Sequence, residues 1–163
     1  MVGKMQEQTI LEQMIKLSAK KLELLKQLKA LSEKQDEAFR EQRLDEVERV
    51  LNKKDEIIDY IGKLDDAFLK ASDALKKLLG IESLTQLEDT GIEGCSELKS
   101  LIEQITALVE EIIKIEKQGY ENAVALQNQF GQEIKNINNA KKIASAYTPK
   151  PLNVPSYFID KKK

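Results

Sequence analysis

The chain has 163 residues with a formal net charge of −2; 33% are charged, 41% apolar and 5% aromatic. That is a one-domain length, and the near balance of charge argues against general affinity for nucleic acid or for an anionic membrane surface. With no histidine and a single cysteine, Cys95, the chain has no His/Cys metal site, no histidine-based acid–base or triad chemistry and no internal disulfide.

All three prolines lie at 149, 151 and 155, which leaves the first 148 residues free of proline and suits long helices. No apolar run approaches the roughly 18 residues of a membrane span, so membrane insertion is not expected. The opening MVGKMQEQ lacks the apolar core of a secretory signal, and the lone cysteine fits a reducing compartment; a cytoplasmic protein is expected.

The first helix is predicted to begin near Thr9, where Thr9-x-x-Glu12 has the form of a capping box. Two adjacent apolar rows follow. One holds Ile10, Met14, Leu17, Leu24, Leu28 and Leu31, interrupted by Lys21; the other holds Leu11, Ile15, Leu22 and Leu25. Such a wide stripe suits packing against more than one helix and leaves room for self-association. Gln35, Ala38 and Phe39 carry the pattern toward Arg43, and a break is expected between Gln42 and Asp45, although neither Gly nor Pro marks it.

A second helix is predicted over Leu44–Leu79, its stripe Leu44, Val47, Leu51, Ile58, Ile61, Leu64, Phe68, Ala71, Leu75 and Leu78, with Gly80 as the terminating glycine. Gly62 within it is expected to let a neighbouring helix come close. In the connection over 80–95, Ser83-x-x-Gln86 starts a short helix with Leu84 and Leu87 facing inward. Gly91-Ile92-Glu93-Gly94 has neither the spacing nor the following lysine of a phosphate loop. The carboxylates lie scattered through lysine-rich helical surface, so no enzymatic function and no cofactor are expected.

The third helix is predicted over Ser96–Ala146, with Leu98, Leu101, Ile105, Leu108, Ile112, Ile115, Gly119, Ala123, Leu126, Phe130, Ile134 and Ile137 on one face. From Gln118 to Asn139 the stripe thins among Gln, Asn and small residues. That stretch is either an exposed extension or a loose binding surface, and Leu126, Phe130, Ile134 and Ile137 are the candidate groove residues. The expected fold is therefore all-α: three long helices in an antiparallel bundle or coiled coil over 1–146, followed by an extended tail over 147–163.

The tail carries the most specific signal. Residues 141–163 hold six lysines against one acid, Asp160, and end on the cluster Tyr157-Phe158-Ile159. Such polarity suits docking on an acidic surface. The run NNAKKIASAY, then prolines, then SYFIDKK, resembles the C-terminal element of the FlgN-like flagellar export chaperones. The restart at Leu44-Asp45-Glu46-Val47 followed by Lys53-Lys54-Asp55, after a Gln- and Glu-rich joint, is similar to the same family. The resemblance covers most of the chain, although the long 80–95 connection and the extended third helix depart from the pattern.

The resemblance implies a cytoplasmic chaperone of flagellar type III secretion. Members bind hook-associated (hook–filament junction) proteins, keep them from premature assembly and deliver them to the export gate, with Tyr147 falling where the family's gate-contacting element lies. Two readings stand for each feature. Tyr147 is a gate contact or a residue closing the last helix; Tyr157, Phe158 and Ile159 are a docking cluster or a plain chain end. The competing reading of the whole protein is a structural or scaffolding coiled coil, which gives the tail no role.

Overall fold

The computed structural model describes residues 2–129, with side chains from Met5 to Ala125. Four helices make up this part: α1 (Val2–Arg40), α2 (Leu44–Leu79), the short 3-10 helix α3 (Leu84–Thr90) and α4 (Cys95–Gln129). No strand occurs among the described residues, as the sequence led one to expect.

The buried rows of the long helices follow one rule. On α1 they are Leu11, Met14, Ser18, Lys21, Leu25, Leu28, Ser32, Gln35 and Phe39, in alternating steps of three and four. On α2 the same steps run through Val47, Val50, Lys54, Ile57 and Ile61 to Phe68, Ala71 and Leu75, with Leu64 half-buried. On α4 they pass from Cys95 and Leu98 through Ile105, Val109 and Ile112 to Ala123. Half-buried Ile102 and Glu116 and buried Gly119 complete that row. Steps of three and four average 3.5 residues, the heptad seam that keeps one narrow line of a helix against its partners.

These rows are not the apolar rows of the sequence reading. Ile10, Leu17 and Leu31 are half-buried beside the seam, while Ser18, Lys21, Ser32 and Gln35 occupy it. Lys21 does not interrupt the stripe: its ammonium reaches Asp65 Oδ1 at 2.6 Å and is buried with it. On α2, Leu44 and Leu78 are exposed, and Val50 and Ile57 take the seam positions assigned to Leu51 and Ile58. Gly62 serves no close approach, since a methyl group there would meet nothing within 4 Å.

The chain forms two compact units. The first joins α1 up to Leu25 with Ile58–Leu108. Its core is Leu11, Met14, Phe68, Ala71, Leu75, Leu84, Leu87, Cys95 and Leu98. Leu11 and Met14 share this core with Phe68, Ala71 and Leu75, while Lys21, farther along α1, meets Asp65, earlier on α2, so α1 and α2 run in opposite senses there. The second unit joins Lys26–Ile57 with α4 from Val109 onward. Lys29–Glu111, Ser32–Glu116 and Asp36–Asn122 are ion pairs or hydrogen bonds in which the numbers rise together, so α1 and α4 run in the same sense.

The helix ends explain where the sequence was silent. α1 starts at Val2, not Thr9; the Thr9 hydroxyl instead donates to the Met5 carbonyl at 2.9 Å, a bond back along a helix already formed. α1 stops at Arg40 in a Schellman turn: Arg43 N–H donates to Ala38 O (2.8 Å) and Gln42 N–H to Phe39 O (3.0 Å). Gln42 holds the left-handed position, φ 60°, that glycine normally takes. The end of α2 has the same bonds, Ile81 to Lys76 (3.0 Å) and Gly80 to Lys77 (3.3 Å), with Gly80 at φ 67°. Ser83 and Gln86 form the expected capping box, and Leu84 and Leu87 are buried.

Gly94, at φ 101°, sits directly against α1: a methyl group there would lie 3.1 Å from Ile15 Cδ1 and 3.5 Å from Leu11 Cδ2. Two opposite outcomes follow in urea denaturation. Gln42→Gly relieves a left-handed non-glycine residue and gains about 0.5–1 kcal/mol. Gly94→Ala combines backbone strain with crowding and loses about 1–3 kcal/mol.

Candidate interaction surface

The residues singled out in sequence as groove and tail sites fall largely beyond the described part. Leu126 lies within α4, three residues past buried Ala123, with its side chain outside the described residues. Phe130, Ile134, Ile137, Tyr147, Tyr157, Phe158 and Ile159 lie outside them altogether. The stretch from Gln118 can be followed to Ala125. There the thin stripe is packed: Ala123 is buried in one cluster with Ala38, Phe39 and Val47, so a small residue on α4 accepts a large one on α1. As far as Ala125, the seam of α4 is neither an exposed extension nor an empty groove.

What α4 offers outward is a different row. Ile113 is 50% exposed and Tyr120, seven residues later, 38%. Exposed Lys117 stands between them and half-buried Val124 follows, giving spacings of four, three and four along one helical face. This row lies one position beyond the seam residues Ile112, Gly119 and Ala123, too far round the helix to enter the core. Leu44, also in the second unit, is 39% exposed. The sequence reading passed over Ile113 and Tyr120, although their seven-residue spacing beside the core row was the available signal. Single exposed hydrophobic residues are ordinary on protein surfaces; two at helical spacing on one face form the larger feature.

In the first unit the exposed hydrophobic residues are Met5, Tyr60, Leu69 and Leu78. The Lys20 ammonium lies over the Tyr60 ring, 5.9 Å from its centroid, an arrangement that favours a cation. Among the described residues no group of three or more acids or cysteines could hold a metal ion, and no helix is long and apolar enough to cross a membrane.

A family model described as FlgN protein matches residues 5–152. The chain belongs to the FlgN family. The match takes in nearly all of the described helices, both compact units and the outward row of α4. No curated protein and no solved structure matches the chain.

Two buried groups in the first unit yield measurable consequences. Burial pushes the Lys21 pKa down and that of Asp65 up, each partly opposed by the charge of the other. Lys21→Met leaves the Asp65 carboxylate buried without its cation and costs about 3 kcal/mol at neutral pH. An acid with a raised folded-state pKa is stabilising while protonated and loses that contribution as pH rises. The deficit of the variant therefore shrinks as pH falls toward the ordinary carboxylate range, measurable by urea denaturation between pH 7 and 4.

Cys95 is buried with its Sγ 3.5 Å from the Leu87 carbonyl oxygen, and burial pushes its thiol pKa up. A thiol reagent at pH 8 is expected to label the native protein far more slowly than the urea-unfolded chain. Equal rates would place Cys95 outside the core.

Proposed function

We propose that this protein is a cytoplasmic chaperone of flagellar type III secretion that binds hook–filament junction proteins, holds them unassembled and hands them to the export gate. The observation that carries the reading is the family match over residues 5–152. The outward pair Ile113 and Tyr120 supports it physically, because an amphipathic client helix docks through anchors at helical spacing. In this reading the three long helices form one antiparallel bundle over 1–146. The chaperone performs no catalysis and uses no cofactor, and its contribution is to cover apolar surface that would otherwise drive assembly.

Within this proposal the client meets two sets of residues. One is Ile113 and Tyr120 on the outward row; the other is Leu126, Phe130, Ile134 and Ile137 farther along the chain. Tyr147 serves the export gate, and Tyr157, Phe158 and Ile159 dock the tail over 147–163.

Purified junction proteins, titrated calorimetrically, test the reading. The wild type is expected to bind one class of junction protein. Ile113→Lys with Tyr120→Lys, or Leu126→Lys with Phe130→Lys, is expected to weaken binding roughly 100-fold, as loss of two buried apolar anchors implies, with unchanged helical circular dichroism. A stable elongated homodimer that ignores every junction protein would instead make the chain a scaffolding coiled coil. If Leu126→Lys melts the isolated protein, Leu126 belongs to the core and not to the client surface.

A further inference from the structure

The second unit carries a polar layer inside its seam. Ser32 and Gln35 come from α1, Lys54 from α2 and Glu116 from α4, and all four stand at core positions of the three-four rows. The Lys54 ammonium donates to Gln35 Oε1 at 2.7 Å and to Glu116 Oε1; the Ser32 hydroxyl donates to the same Glu116 oxygen at 2.6 Å. The side chains of Lys54 and Glu116 are 7% and 18% exposed. Gln35 is fully buried, and its Nε2 has no hydrogen-bond partner.

Stability is a poor reason for such a layer. Taking Lys54 and Glu116 out of water is costly, and a buried ion pair commonly does no better than apolar side chains of the same volume. The unpartnered Gln35 amide adds a further cost. What the layer supplies is direction. A cation on α2 needs a carboxylate at one level of the third helix, and the hydroxyl on α1 needs the same oxygen. A shift of α4 by one heptad would bring Val109 or Ala123 to that level, leaving the buried lysine with the neutral Gln35 oxygen but no carboxylate, and the hydroxyl without its acceptor. An apolar helix from another molecule would do the same. Apolar clusters of the same unit, such as Ala38, Phe39, Val47 and Ala123, discriminate far less, because hydrophobic contact is non-directional.

We propose that the Ser32–Gln35–Lys54–Glu116 layer selects α4 as the third helix of this unit and fixes its register, refusing amphipathic helices that bring no carboxylate to that level. It is a specificity device in the interior of a protein whose surface handles amphipathic helices, and it holds whether or not the proposed clients are correct.

The test replaces the layer by Gln35→Leu, Lys54→Leu and Glu116→Leu together in the full chain. The triple variant is expected to remain helical with an equal or higher melting temperature. It loses a single packing: amide resonances of the second unit broaden or multiply in ¹⁵N-correlated spectra, and light scattering finds species of higher mass than the wild type. Sharp, single resonances with unchanged mass would overturn the proposal. So would a fall in melting temperature, because the layer would then hold the unit together instead of choosing its packing. The exchange Lys54→Glu with Glu116→Lys provides the second measurement: it is expected to keep the wild-type mass and single resonances, where Glu116→Leu alone loses them. A failure of the exchange to differ from that single change would count against selection by charge.

Discussion

Three rows of side chains spaced by alternating threes and fours organise the described part of this protein. A straight helix has 3.6 residues per turn, so a row with a 3.5-residue period stays in line with its neighbours only when every helix keeps the same repeat. α1, α2 and α4 all do so, without a skipped step between Leu11 and Phe39, between Val47 and Leu75, or between Cys95 and Ala123. Everything else adapts to that constraint. The Schellman turns at Gln42 and Gly80 reverse the chain, and Gly94 lies close enough to Leu11 and Ile15 to bring the start of α4 against α1.

The rows are not uniformly apolar. Each unit contains its own buried charge: Lys21 with Asp65 in the first, Lys54 with Glu116 in the second. Desolvation is the main force on the first pair, and it acts against both ions. The lysines survive at seam positions because their long stems pack as hydrocarbon while their ends find an acid. The core thus contains side chains whose neighbours are specified by chemistry as well as by size, and this restricts the alternative packings open to a leucine-rich helical chain.

This interior polarity also sets how much could be read in advance. Helix type, the Leu44–Leu79 span, the Gly80 terminus and the Ser83–Gln86 box were all visible, because each rests on local chemistry within a few residues. The core rows departed from the apolar rows at several positions, since Lys21, Ser32 and Lys54 look like surface until their partners on other helices are known. The end of α1 was placed late because Gln42 occupies a glycine's conformation. The start of α1 was placed late because a threonine bonding back to Met5 has the same spacing pattern as a cap. On α4, Ile113 and Tyr120 went unnoticed because attention to the core row hides a second row one position away. Family membership was legible through specific local runs, NNAKKIASAY near the end of the chain and the restart at Leu44-Asp45-Glu46-Val47, both within the matched residues 5–152, more than through heptads, which many unrelated proteins share.

The proposed role, a chaperone for helical clients, would require apolar surface offered without loss of the protein's own packing. In the second unit the proposed polar layer and the outward row of α4 would meet these two requirements separately: Glu116 stands in the seam, and Ile113 and Tyr120 stand on the adjacent, exposed face. Hydrogen exchange by mass spectrometry, with and without a purified hook–filament junction protein, tests this division most directly. The account predicts added protection along α4 from Val109 onward, with the α1 and α2 segments over Lys26–Ile57 little changed. Protection confined to Ile58–Leu108, or none anywhere when the junction protein is in excess, would contradict it.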